Sequence, residues 1–252
     1  MHRFKTDSKM KISLAQIRPV KGNISTNIAT HKKLIALAIA ANADAIFFPE
    51  LSITGYEPEL AKELATNQDD KRFDDFQQIS DTNKIIIGIG VPTKSEAGTL
   101  ISMIIFQPNK SKQTYSKQQL HADELPYFVN GNSQTILAIE NIKIAIGICY
   151  ESLQTDHAEN ANKLGATIYI ASVAKSQNGI NKALVHYPII ATKFSMTVLM
   201  TNCVGYCDNF ESVGKSAVWN DKGELIGEFN DTDEGILIFD TGTKSITQHE
   251  ID

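Results

Sequence analysis

Residues 141–165, NIKIAIGICYESLQTDHAENANKLG, change character at one point. Up to Ile148 the run is apolar and isoleucine-rich, which reads as a buried strand from Lys143 to Ile148. From Glu151 to about Leu164 it is polar and spaced as a helix. Cys149 stands at the join. A strand-to-helix turn holds a side chain up out of the sheet. The helix start adds backbone N–H groups and the positive end of a dipole, which favour thiolate over thiol. The N–H of Tyr150 is placed to meet a developing oxyanion. By position alone, an inert core thiol is the commoner explanation of such a cysteine.

The same alternation extends both ways. Strands are predicted over residues 11–17, 43–48, 84–91, 100–106, 113–116, 134–140, 166–171 and 197–201. Helices are expected from Asn23 or Ser25 to about Ala41, over 69–82, and over 182–194. SAVWND and GELIGEF form a hairpin around Asp221-Lys222-Gly223, and GILIFD closes the pattern. This order argues for sheets covered by helices on their outer faces. No linker or repeat interrupts it, so residues 10–252 are read as one domain. Residues 1–9 are read as a disordered extension, with Met10 as an alternative start.

Two further strand ends carry chemistry. Glu50 follows AIFF and Pro49, where apolar neighbours would raise a carboxyl pKa toward that of a general base. Lys117 ends the strand QTYS and can stabilise negative charge. A surface acid and a solvated lysine are the ordinary readings of each alone. Their shared place outside the carboxyl ends of strands, where ligands of α/β sheets bind, joins them to Cys149. A thiol attacking a carbonyl needs a base and a stabilised oxyanion, and the three supply both.

The net charge of -5, with no basic stripe, argues against a nucleic-acid partner. Three cysteines cannot make a disulfide framework, and Cys203 and Cys207 lack a second pair at zinc spacing, so no metal is expected. They are read as unpaired core or near-site thiols in a reducing, cytoplasmic setting. No apolar run is long enough for a membrane helix. Gly214-Lys215-Ser216 lacks the upstream glycine of a phosphate loop. The histidines are read as structural or solvent-facing.

With FFPELSITGY around Glu50, YSKQQL around Lys117 and GICYES around Cys149, the chain resembles the nitrilase-type carbon–nitrogen hydrolase family. The opening strand ISLAQIRPVKGNISTNI, GATIYIASVA, TNCVG and SVGKSAVWNDKGELIG extend the resemblance from Met10 to about Asp240. It implies a four-layer αββα sandwich and a Glu–Lys–Cys triad: Glu50 as base, Lys117 as oxyanion-stabilising cation, Cys149 as nucleophile. It also implies a second glutamate after the lysine, matched by Glu124, and a homodimer or larger homo-oligomer. No cofactor is implied, and the partner is a small amide or carbamoyl compound. Where nitrilases resemble Cys-Trp-Glu, this chain has Cys149-Tyr150-Glu151, which favours amides over nitriles. IIATKFSMT, with Lys193, departs from an Arg-Ala-x-Glu-Asn-like segment and leaves the dimer contact open. A silent binding member of the family and an amine-using acyltransferase stay as alternatives. Tyr56, Tyr127 and Phe128 are candidate pocket walls.

Overall fold

The computed structural model describes residues 9–251. The extension expected over 1–9 therefore lies, but for Lys9, outside the described residues.

Two mixed sheets carry the chain. The first contains β1 (Lys11–Gln16), β2 (Ala45–Phe47), β3 (Ile86–Lys94), β4 (Thr99–Phe106), β5 (Gln113–Ser116), β14 (Gly235–Asp240) and β15 (Ile246–Glu250). Their spatial order is β15-β14-β1-β2-β3-β4-β5. The second contains β6 (Ile136–Ile139), β7 (Ile142–Ile148), β8 (Ile168–Val173), β9 (Thr197–Asn202), β12 (Ala217–Trp219) and β13 (Leu225–Glu228), in the order β13-β12-β9-β8-β7-β6. Each has three parallel strands at its centre, β1-β2-β3 and β7-β8-β9, flanked by antiparallel ones. A separate hairpin pairs β10 (Val204–Cys207) with β11 (Phe210–Val213).

Strand alternation explains why these segments read as continuous apolar runs. In β4, Ile101, Met103 and Ile105 enter the core shared with Ile144, Ile146 and Ile148 of β7. Ile104 and Phe106 point the other way, into a layer with Leu34, Ile35 and Ala38 of α1 (Ile24–Ala40) and Phe76 of α3 (Asp74–Asn83). On the second sheet Ala145, Tyr169 and Val198 face α4 (Thr155–Lys163) and α5 (Gln177–Phe194). The layers are therefore αββα, as the resemblance implied. Both faces of the central strands are buried, so period-two patterning is lost. Each fully buried Ile or Leu stabilises the fold by about 1.5–3 kcal/mol before entropy is counted.

Two hydroxyls tie the sheets together where strands end. Ser172 Oγ donates to the Phe48 carbonyl (2.9 Å) and Thr201 Oγ1 to the Ala15 carbonyl (2.6 Å). Both acceptors lie at or just beyond the carboxyl ends of first-sheet strands, so the ties hold the segment leading to Glu50 against the second sheet.

Several boundaries differ from expectation. The helix after Cys149 is not continuous: a 3-10 turn spans Cys149–Leu153, and α4 begins at Thr155. α5 starts at Gln177, ahead of the expected 182. A short helix α2 (Pro58–Leu64), the β10-β11 hairpin and the edge strand β15 were not foreseen. Asn23 does cap α1, its side chain accepting from Thr26 N. Among the described residues no helix is long and apolar enough to cross a membrane.

Candidate active site

Pro49 ends β2, and the chain turns back over β3. Phe48 N donates to the Gly88 carbonyl and Ile53 N to the Gly90 carbonyl, each at 2.9 Å. The turn sits so low on the sheet that Gly90 must lack a side chain: a Cβ there would lie 2.6 Å from Leu51 N, and closer still to the Pro49 carbonyl oxygen. Glu50 is thereby held with its side chain fully buried. Lys117 follows β5, its N–H pairing with the Ile101 carbonyl (2.8 Å), and its side chain is also fully buried. Glu124 lies in a helical turn in which the N–H groups of Tyr127 and Phe128 donate to its carbonyl.

These three form one ionic cluster. Lys117 Nζ donates to Glu50 Oε1 at 2.8 Å and to Glu124 Oε1 at 2.6 Å. Glu124 also accepts from Tyr56 Oη (3.0 Å) and from His121 N (2.7 Å). Burial alone would lower the lysine's pKa, but Glu50, Cys149 and Glu124 hold it above its ordinary value. Burial, helped by Glu124, raises Glu50 above its ordinary value, while Lys117 opposes the rise. Glu50 Oε2 is buried and makes no hydrogen bond among the described residues. The Cys149 thiol is near enough to lower the carboxyl's pKa, without the geometry of a formed bond.

Cys149 follows the last residue of β7 with φ 47°, in the left-handed region, which strains a residue bearing a Cβ. Ser152 Oγ donates to the Cys149 carbonyl (2.6 Å), and Glu151 Oε1 accepts from Ile148 N (2.7 Å), so both sides of the elbow are pinned. Glu151 also accepts from Tyr115 Oη (2.6 Å), Gln118 N (2.6 Å) and Gln119 N (3.3 Å). It thus links the cysteine turn to the lysine segment. Burial pushes its carboxyl up to about 7 against those hydrogen bonds. Burial, followed by the Glu50 charge, pushes the Cys149 thiol up to about 12, while Lys175 and Lys117 draw it down. Burial thus favours the thiol over the thiolate at this position.

The half-buried sulfur opens on a cavity of about 500 Å³ whose walls include Tyr56, Glu124, Lys175, His186 and Phe210. Glu50 and Lys117 stand behind this surface. Tyr56 is thus a wall residue as expected. Phe128 is instead buried core, and Tyr127 is exposed away from the cavity. His31 and His157 are buried and hydrogen-bonded, His157 to the hydroxyls of Tyr115 (2.9 Å) and Tyr169 (2.6 Å). His121 and His186 line the cavity. Cys203 and Cys207 are free and buried, their sulfurs 3.5 Å apart. Among the described residues no group of His, Cys, Asp and Glu could hold a metal.

The family model for carbon-nitrogen hydrolases matches residues 11–249. The chain belongs to the carbon-nitrogen hydrolase family. Among curated relatives of this family member, a glutamine-dependent NAD(+) synthetase of Acinetobacter baylyi is 26% identical over 222 residues, covering 85% of this chain and 41% of the relative. The NAD(+) synthetases of Thermotoga maritima and Aquifex aeolicus are covered to 42% and 41%, so the chain spans about two fifths of these relatives. A "hydrolase in agr operon" of Staphylococcus aureus is 25% identical, covering 95% of this chain and 94% of that one. Of solved structures, a cysteine mutant of the amidase from Nesterenkonia sp. AN1 in complex with butyramide superposes with a TM-score of 0.85 at 20% identity, covering 93% and 92% of the two chains. Another form of that amidase carries an acetamide moiety covalently added at its active-site cysteine, with a TM-score of 0.84. At this identity the two structures establish the fold alone.

Proposed function

We propose that this carbon-nitrogen hydrolase cleaves the C–N bond of a small linear amide through a thioester on Cys149. One observation carries the reading: a thiol on a left-handed elbow faces a cavity, with a buried carboxylate–ammonium–carboxylate cluster directly behind it.

Glu50 takes the thiol proton as sulfur bonds to the amide carbon. The carbonyl oxygen becomes an oxyanion, stabilised by Lys117 Nζ and the Tyr150 N–H. The C–N bond then breaks, and Glu50 returns its proton to the nitrogen, which leaves as ammonia or amine. Glu50 next removes a proton from water, whose oxygen attacks the thioester. Collapse releases the carboxylic acid, and sulfur regains the proton. Glu124, bound to Lys117 and lining the cavity, positions the lysine or the substrate.

The Nesterenkonia structures support the reading, since one is a complex with an amide, butyramide, and another carries the acetamide moiety of fluoroacetamide joined to its active-site cysteine. The glutamine-dependent relatives make glutamine a rational first substrate to try. The test is ammonia release from a panel of amides, with hydroxylamine trapping and intact-mass detection of an acyl adduct. An adduct absent from Cys149→Ala supports the scheme. Full hydrolysis by Cys149→Ala defeats it.

A further inference from the structure

Cys203 and Cys207 take no part in the thioester scheme. They flank Val204-Gly205-Tyr206. In a straight strand, positions four residues apart stand about 13 Å from one another. The two sulfurs are instead 3.5 Å apart. The chain bends at Gly205, whose φ of 89° lies in the left-handed region that only glycine enters without strain. A Cβ there would also lie 2.5 Å from a guanidinium nitrogen of Arg18. The bend folds the two thiols onto each other within one hairpin. Both are 1% exposed and both are free.

The β10-β11 hairpin belongs to neither large sheet. Its base is tied down. Val204 N donates to the Ile17 carbonyl (3.0 Å) and Val213 N to the Lys175 carbonyl (3.2 Å). The Cys203 carbonyl accepts from Ser212 Oγ (2.8 Å) and Gly214 N (2.9 Å). The tip is held by less: Asp208 N reaches Glu57 Oε1 at 3.3 Å, and Tyr206 is 82% exposed. Cys203 thus sits at the anchored end and Cys207 at the end that opens, and local opening is how a small solute reaches a buried sulfur. The two thiols also differ in acidity. The hydrogen bond with Cys207 draws Cys203 below its ordinary value against burial, and the same contact raises Cys207. Cys203 is therefore the sulfur that ionises first, and the thiolate is the reactive form. Across the turn, Cys207 pairs with Phe210, which lines the cavity and packs against Tyr56 with ring centroids 5.7 Å apart.

We infer that Cys203 and Cys207 form a reversible dithiol–disulfide site for a peroxide oxidant, set in the hairpin that supplies the Phe210 wall of the cavity. The Cys203 thiolate attacks one peroxide oxygen, the O–O bond breaks, and hydroxide departs, leaving a sulfenic acid. The Cys207 sulfur then gives up its proton and displaces the sulfenic oxygen as hydroxide, forming the S–S bond. In all, the two thiols lose two electrons and two protons, and the peroxide is reduced to two waters. Bond formation draws the sulfurs together. Because Cys203 is anchored, the tip moves, and Phe210 moves with it.

The test uses the full chain carrying Cys149→Ala, in which this pair supplies both remaining thiols. Hydrogen peroxide, followed by unfolding and maleimide labelling, should take the label count from two to none, with a mass loss of two hydrogens. Dithiothreitol should restore both labels. Adding Cys207→Ser should abolish the two-hydrogen loss. Amide hydrogen exchange across residues 204–213 should be slower in the oxidised chain, since the crosslink restrains the tip. Two labels retained after peroxide, oxygen adducts in place of the two-hydrogen loss, or a crosslink between two chains overturns the site. Unchanged exchange with the disulfide formed overturns its coupling to the cavity wall. No arm of this test turns over an amide, so the hydrolase reading stands or falls separately.

Discussion

β5 feeds two buried polar networks from alternate positions, and they are finished to different degrees. Tyr115 points into a closed one, where Glu151 accepts four hydrogen bonds and His157 is bridged to Tyr115 and Tyr169. Lys117, two residues on, points into an open one, where among the described residues Glu50 keeps a buried oxygen with no partner and Lys175 an ammonium with no carboxylate. A satisfied network fixes geometry, and an unsatisfied one holds capacity for a ligand. Rigidity and reactivity are thus separated by two residues along one strand direction.

The largest effect expected is at Cys149. Its replacement by alanine should lower amide hydrolysis by at least ~10³-fold and abolish the acyl adduct, with little change in thermal midpoint. Loss of folding instead would place the cysteine in the scaffold and break the contrast. In the open network, Lys117→Ala strands two buried carboxylates. It should cost about 3–5 kcal/mol in denaturant unfolding as well as activity. Glu50→Gln preserves shape and should lower kcat by roughly 10²–10⁴-fold with a far smaller stability change. Equal stability losses in these two variants would erase the distinction between base and anchor.

The closed network should answer in reverse. Glu151→Gln leaves donors without an acceptor and should destabilise by about 2–3 kcal/mol, with activity falling only as far as the Cys149 turn shifts. A pH measurement sharpens this with the smallest signal. Burial raises Glu151 from 4.5 to about 7. Between those values the folded chain holds a proton that the unfolded chain releases. Its contribution to stability is therefore full below 4.5 and is lost as pH rises through about 7. Urea unfolding of the native chain minus that of Glu151→Gln should decline across that window. A flat difference would mean that Glu151 is ionised throughout.

The sequence showed the open network better than the closed one. Glu50 and Cys149 follow apolar runs and Lys117 follows the strand QTYS, so their strand-end positions could be read without coordinates, and the structure brings them together. Lys175 carries a strand-end signal too, after IYIASVA, and was not singled out in the sequence. Glu151 gave none, because a glutamate in the first turn after a strand is what any exposed helix start looks like. The 3-10 turn was hidden for the same reason: its identity lies in Glu151 folding back onto Ile148 N, a contact that residue spacing does not encode. The start of α5 was obscured by Gly179, which allows close approach of the Lys175 side chain. β15 is short, polar and at an edge, and so lacks the apolar content that marks the inner strands.

Gly90 gives position 50 a dependence that runs through empty space. Adding a single carbon atom there would push against the main chain of Pro49 and Leu51 and carry the carboxylate away from the sulfur, though residue 90 touches no ligand. A mutational survey confined to what a substrate can contact would overlook that control. Natural drift at this locus should be frozen as tightly as at Cys149 itself.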